Sequence, residues 1–224
     1  MVSRLYRHFY IKMTILMLAS ILVYPAIENV SSGVAAVTLL DLAMMLMAIH
    51  MVSTGSTRRR WRRLPLVVLG AAAIGLDLYT VFYPQKHFQL ASSVFFCGFY
   101  LFAIYNMLKY VLSPGQITLD RIFASLTAYM TMALFWALVY RVLYLLAPHS
   151  FRFDSTIQRD AVPFYDFLYF SYATITTTGY GDIVPNTHQV QSFAIVEQMV
   201  GVLYVAILVA RLTNLYAPGA PPPD

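Results

Sequence analysis

One run holds the residues best suited to chemistry: Thr174-Ile175-Thr176-Thr177-Thr178-Gly179-Tyr180-Gly181-Asp182. Two glycines one residue apart accept backbone angles that other residues avoid. Successive carbonyls of such a run are free to point the same way, onto a common axis. A ring of backbone carbonyls replaces the water shell of a permeating cation, so the chemistry is coordination rather than bond making. Catalysis is disfavoured on the same reading. No nucleophile–base set or metal-ligand spacing is present, and His8, His50, His87, His149 and His188 are scattered. The cation itself is the only bound species the run calls for, with no cofactor.

A carbonyl run of this kind needs a frame, and the composition says where that frame lies. Of the 224 residues, 59% are hydrophobic and 11% charged. A soluble domain carries about 25% charged residues, so most of this chain belongs in lipid. The formal net charge of +5 sits at the flanks of apolar stretches, which reads as membrane topology rather than nucleic-acid binding. Cys97 stands alone, so no intrachain disulfide is available.

Apolar stretches follow one another at 8–25, 34–52, 64–83, 88–112, 119–147 and 190–216. Each is near the ~20 residues that cross the hydrocarbon core. The first follows Arg4, Arg7 and Lys12, but no small-residue cleavage site comes after it, so it reads as an uncleaved helix. The run Arg58-Arg59-Arg60-Trp61-Arg62-Arg63 reads as an inward-facing loop with anionic lipid as a compatible contact. Pro148 to Val162 is too charged for lipid. Phe164 to Thr176 is aromatic, too short to span, and follows a helix-starting Pro163, so it reads as a short helix that enters part-way. With the N-terminus inside, the basic groups at 4–12, 58–63 and 109–121 all fall inside, as do both termini, and the glycine run falls outside.

Thr177-Thr178-Gly179-Tyr180-Gly181, set between two spanning stretches after a short aromatic helix, resembles the selectivity filter of potassium channels. The stretch from Phe164 to Arg211 is similar to their pores. Thr178 stands where that filter commonly has Val. The resemblance implies an all-α integral membrane protein in a cell membrane: six transmembrane helices with a re-entrant pore helix and filter between the fifth and sixth. It implies a homotetramer, since one chain supplies one filter strand. K+ would bind the carbonyls of Thr177, Thr178, Gly179 and Tyr180, with the Thr177 hydroxyl at the cavity end and Gly181 closing the run. Tyr180 would pack behind the filter. Asp182 would bond to a pore-helix side chain. Relatives use Glu or Trp where Ala173 and Tyr169 stand here, which leaves Tyr169 as partner or as plain packing. Gly201 lies where the family commonly has an inner-helix hinge; close helix packing is the other reading.

Ionisable groups at membrane depth call for partners. Asp41, Asp77, Arg141 and Glu197 each lie ~10 Å below an outer helix end at 1.5 Å per residue. The fifth and sixth helices pack together in the family, so an Arg141–Glu197 ion pair is expected behind the filter, leaving Asp41 and Asp77 with one of them protonated, with both lining a water-filled crevice, or with Tyr or Thr hydroxyl partners. Voltage-gated relatives carry Arg or Lys at every third position of the fourth helix, whereas Phe88 to Leu108 has neither. The division expected is therefore an N-terminal four-helix membrane domain without a charged sensor at 1–115, a pore domain at 116–216, and a Pro-rich tail at 217–224 with no fold of its own. No nucleotide- or calcium-binding module is expected after Tyr216. The reading is a passive potassium-selective channel, not strongly voltage-gated. A poorly selective cation channel and a non-conducting membrane sensor or scaffold are the rivals.

Overall fold

The computed structural model describes residues 9–27, 60–83, 85–114, 118–154 and 162–216. The stretch 34–52, Asp41, Arg58, Arg59 and the tail 217–224 lie outside the described residues. Six helices and two short strands are described: α1 Phe9–Ile27, α2 Arg60–Phe82, α3 Lys86–Val111, α4 Leu119–Leu146, β1 Phe151–Phe153, α5 Phe164–Ile175, β2 Ile183–Pro185 and α6 His188–Tyr216. Among them α3, α4 and the His188–Arg211 segment of α6 are long and apolar enough to cross a membrane. The shorter apolar segments Phe9–Tyr24 and Val67–Thr80 lie in α1 and α2. The protein is a membrane protein of helical build.

One expectation changes here. The basic run was read as a loop, but α2 already begins at Arg60. Arginine is a good helix former and needs no turn chemistry to be accommodated, so the helix takes in Arg60, Arg62 and Arg63 before the apolar stretch starts.

The chain divides into two compact units, and the division falls inside α4. The first holds the helices up to Ser113 together with Leu119–Phe135; the second holds Trp136 onward. In the first unit, α4 is tied to α1 by small polar groups. The Thr14 and Thr127 hydroxyls lie 2.8 Å apart, and the Asp120 carboxylate accepts from the Tyr10 N–H at 3.4 Å and the Tyr110 hydroxyl at 3.3 Å. The Tyr10 and Tyr110 rings stack at 5.3 Å. The residues from α3 to α4 take no more than Leu112 to Thr118, with Arg121 donating back to the Ser113 carbonyl at 3.1 Å.

In the second unit, β1 and β2 pair antiparallel, with Phe151 opposite Pro185 and Phe153 opposite Ile183. Backbone bonds extend the pairing: the Asp154 N–H donates to the Asp182 carbonyl at 2.9 Å, and the Asn186 N–H to the Ser150 carbonyl at 2.8 Å. The segment before α5 is thus stitched to the segment that leaves the glycine run. Phe151 is buried, and its ring meets those of Tyr140, Phe167 and Phe170 at 5.5–5.8 Å. Aromatic alternation across a three-residue strand places Phe151 inward, while Arg152 between the two phenylalanines is exposed.

Phe151→Ala is expected to cost about 3–5 kcal/mol through the cavity it leaves. The check is the thermal midpoint of the purified protein; an unchanged midpoint would mean that the strand is dispensable.

Candidate functional site: the glycine run and its supports

Helix α5 ends at Ile175, and the run after it folds back on the helix end. The N–H groups of Thr176, Thr177, Thr178 and Gly179 donate to the carbonyls of Tyr172, Thr174, Ala173 and Ala173, at 2.8–3.2 Å. The last carbonyls of a helix lack intrahelical partners; here the run supplies them. Its own carbonyls are left over. Among the described residues the carbonyls of Thr177, Thr178, Gly179 and Tyr180 accept no hydrogen bond.

The backbone angles allow those carbonyls to share a side. Thr177, Gly179 and Gly181 have φ of 59°, 57° and 83°, while Thr178 and Tyr180 between them do not have positive φ. Alternating hands turn successive peptide planes over, so that like groups line up along one edge. Glycine takes the left-handed angle freely. Thr177 is β-branched, for which it is a strained angle of the kind that concentrates at functional positions. The residues from Thr176 to Gly181 are exposed in the single chain. The Thr178 hydroxyl lies 2.8 Å from that of Thr176, which itself donates to the Tyr172 carbonyl at 2.6 Å.

The outer end of the run is held by side chains. The Tyr169 and Tyr180 rings stack at 5.8 Å and 8°. The Tyr169 phenol lies near the Asp182 carboxylate. That carboxylate accepts from the Ile183 N–H at 3.1 Å.

Behind the run, α6 presents one narrow buried face: Val190, Ala194, Glu197 and Gly201, at the three- and four-residue spacing of one helix stripe. Most of its other described residues, including Val202, Leu203, Val205, Ile207 and Val209, are exposed. At Gly201 an added Cβ would lie 2.4 Å from the Ile175 carbonyl oxygen. The absence of a side chain is therefore needed for packing, and α6 runs through this position as one helix.

The expected Arg141–Glu197 pair is not formed. Glu197 is fully buried, and its two oxygens accept from the hydroxyls of Tyr140 and Ser171 at 2.5 Å each. Arg141 instead lies over the Phe164 ring at 5.8 Å. At 3.6 residues per turn, neighbouring positions point ~100° apart. With Tyr140 facing Glu197, Arg141 next to it faces elsewhere. Asp77 is half-buried on α2. Sequence reasoning missed Ser171 and Tyr140 as carboxylate partners and missed the β1–β2 pairing. The spacing of Glu197 from Ala194 and Gly201 was the available signal that it lies on a packed face.

Gly201→Ala is expected to destabilise the fold by about 1–3 kcal/mol, since the carbonyl it meets is backbone and cannot swing aside. Comparing thermal midpoints with Met199→Ala, an exposed position on the same helix, checks this; equal midpoints would contradict it. If the Tyr169 hydroxyl holds Asp182, Tyr169→Phe, which keeps the ring stack, is expected to cost about 0.5–1.5 kcal/mol. An unchanged thermal midpoint would reduce Tyr169 to packing.

Residues 129–217 match a protein-family model described as "Ion channel". Over 102 residues the chain is 30% identical to Two-pore potassium channel 4 of Arabidopsis thaliana, covering 46% of this chain and 36% of that relative. The chain thus spans about a third of the length of the curated relative it matches. No solved structure matches it.

Proposed function

Residues 129–217 carry an ion-channel domain related to those of potassium channels, and from that premise we propose that the protein is a homotetrameric, potassium-selective channel with passive flux. The observation that carries this is the backbone of Thr177 to Gly181: φ alternates in hand while four carbonyls accept no bond among the described residues. Backbone polar groups at membrane depth require partners. A dehydrated cation on an axis shared by several copies supplies them. Four copies place the four runs around that axis. The exposed ring of Tyr180, 70% accessible in one chain, and the bare apolar sides of α6 are then covered by neighbouring copies or lipid.

In this reading α5 is a re-entrant pore helix whose partly negative C-terminal end favours a cation beneath the filter. Helix α4 is the outer helix and α6 the inner one, in a six-span plan with both termini cytoplasmic. K+ sits between successive rings of Thr177, Thr178, Gly179 and Tyr180 carbonyls, and the Thr177 hydroxyl completes the innermost site. Strong voltage gating through α3 is not expected: between Lys86 and Lys109 it has no Lys or Arg, and a sensor moves such charges through the field. Anionic lipid at Arg58–Arg63 is a compatible partner.

Purified protein in liposomes is expected to pass K+ in strong preference to Na+, with block by Ba2+. Equal passage of both ions would favour a poorly selective pore, and no passage of either would favour a non-conducting scaffold. Gly179→Ala forces an L-residue into the left-handed region at a cost of about 1–2 kcal/mol. It is expected to abolish selective flux while leaving helix content unchanged by circular dichroism; retained selectivity would contradict the carbonyl geometry.

A further inference from the structure

Glu197 is fully buried on the inner helix, where an unmet carboxylate would be costly. Its two oxygens are met from two other helices. Tyr140 comes from α4 and Ser171 from the middle of α5. One side chain thereby ties the outer, pore and inner helices at a single point.

What lies one turn away gives that point a role beyond satisfying a charge. Four residues along the same face of α6, the Gly201 backbone rests against the Ile175 carbonyl. Ile175 is the last residue of α5, four residues after Ser171 on the same side of that helix. The carbonyls of Tyr172, Ala173 and Thr174 between them hold the N–H groups of the filter. A single turn of α6, Glu197 to Gly201, therefore grips the final turn of α5 at both ends. The same turn of α5 fixes the filter backbone. The inner helix cannot shift along or about its axis without breaking the Ser171 bond or moving the groups that orient the filter. Packed interfaces of this sort change between discrete arrangements rather than by smooth deformation.

The geometry points to Glu197, with Ser171 and Tyr140, as a positioning cluster that couples the place of the inner helix to conduction in the filter. The inference rests on the pore reading above and adds the element through which the pore is regulated. Ser171 is the transmitting contact, because it is the one on the pore helix. Tyr140 holds the carboxylate against the outer helix. None of the three touches the ion.

The test uses the full chain in vesicles of phosphatidylethanolamine and phosphatidylglycerol, with Rb+ and K+ as the probe ions. Ser171→Ala removes the transmitting hydroxyl and adds no volume. Glu197→Gln keeps the size and one acceptor. Each is expected to shift the Rb+ to K+ flux ratio or the stationary open probability by about twofold to thirtyfold, the range known for residues on a coupling path. The double variant is expected to shift them no further than the larger single change, as for two groups sharing one bond. Tyr140→Phe, which leaves the Ser171 bond in place, is expected to shift them less. Assembled variants with wild-type ratio and open probability would overturn the inference, and so would additive effects in the double variant. Failure of both single variants to assemble, with Tyr140→Phe assembling normally, would mark the cluster as a folding element alone and also overturn it. Silent wild-type vesicles would instead remove the pore reading itself, a result distinct from conducting wild type with unaffected variants.

Discussion

A backbone carbonyl set away from water needs a partner, and among the described residues the carbonyls of four successive residues, Thr177 to Tyr180, accept no hydrogen bond. The N–H side of the run from Thr176 to Gly179 is bound to the end of α5. The alternating hand of the backbone from Thr177 to Gly181 allows the carbonyls to face the other side. Neither half works alone. Without the bonds to Tyr172, Ala173 and Thr174 the run would be free to turn its peptides over, and without the positive φ values its carbonyls would not align. The strained angle at Thr177 is tolerated because the bonds on either side of it over-determine the backbone.

Everything near the run restrains it from a different direction. Below, α5 supplies the acceptors. At its far end, the residue after β1 holds the Asp182 carbonyl through the Asp154 N–H, and the Tyr169 ring stacks on that of Tyr180. Behind, α6 comes close enough to α5 that only glycine fits at position 201. The aromatic cluster of Tyr140, Phe151, Phe167 and Phe170 fills the space between these supports. The carboxylate of Glu197 beside that cluster is met by the hydroxyls of Tyr140 and Ser171.

Much of this was legible in the chain because the strongest signals are periodic or chemically narrow. Apolar stretches of spanning length gave α3, α4 and α6 to within a few residues, and Pro163 marked the start of α5. The glycines at 179 and 181 announced the backbone angles directly. The long-range contacts were harder to read. Arg141 and Glu197 carry opposite charges at similar depth, and charge alone suggested a pair. Which of two adjacent residues on α4 faces α6 depends on helix rotation, which charge does not report; Tyr140 takes that side. The pairing of Phe151–Phe153 with Ile183–Pro185 joins segments thirty residues apart, each too short to show strand periodicity. The start of α2 at Arg60 shows the opposite limit, since a basic run signals topology but says nothing against helix.

The central claim is that the free carbonyls of Thr177, Thr178, Gly179 and Tyr180 coordinate a dehydrated cation on an axis shared by four copies. Anomalous scattering from thallium ions soaked into crystals of the assembled protein measures this directly. The account predicts a line of peaks on a fourfold axis, each within coordinating distance of carbonyls from those residues, and their loss when Na+ replaces Tl+. Assemblies without such an axis, or peaks absent while the carbonyls face it, would contradict the account.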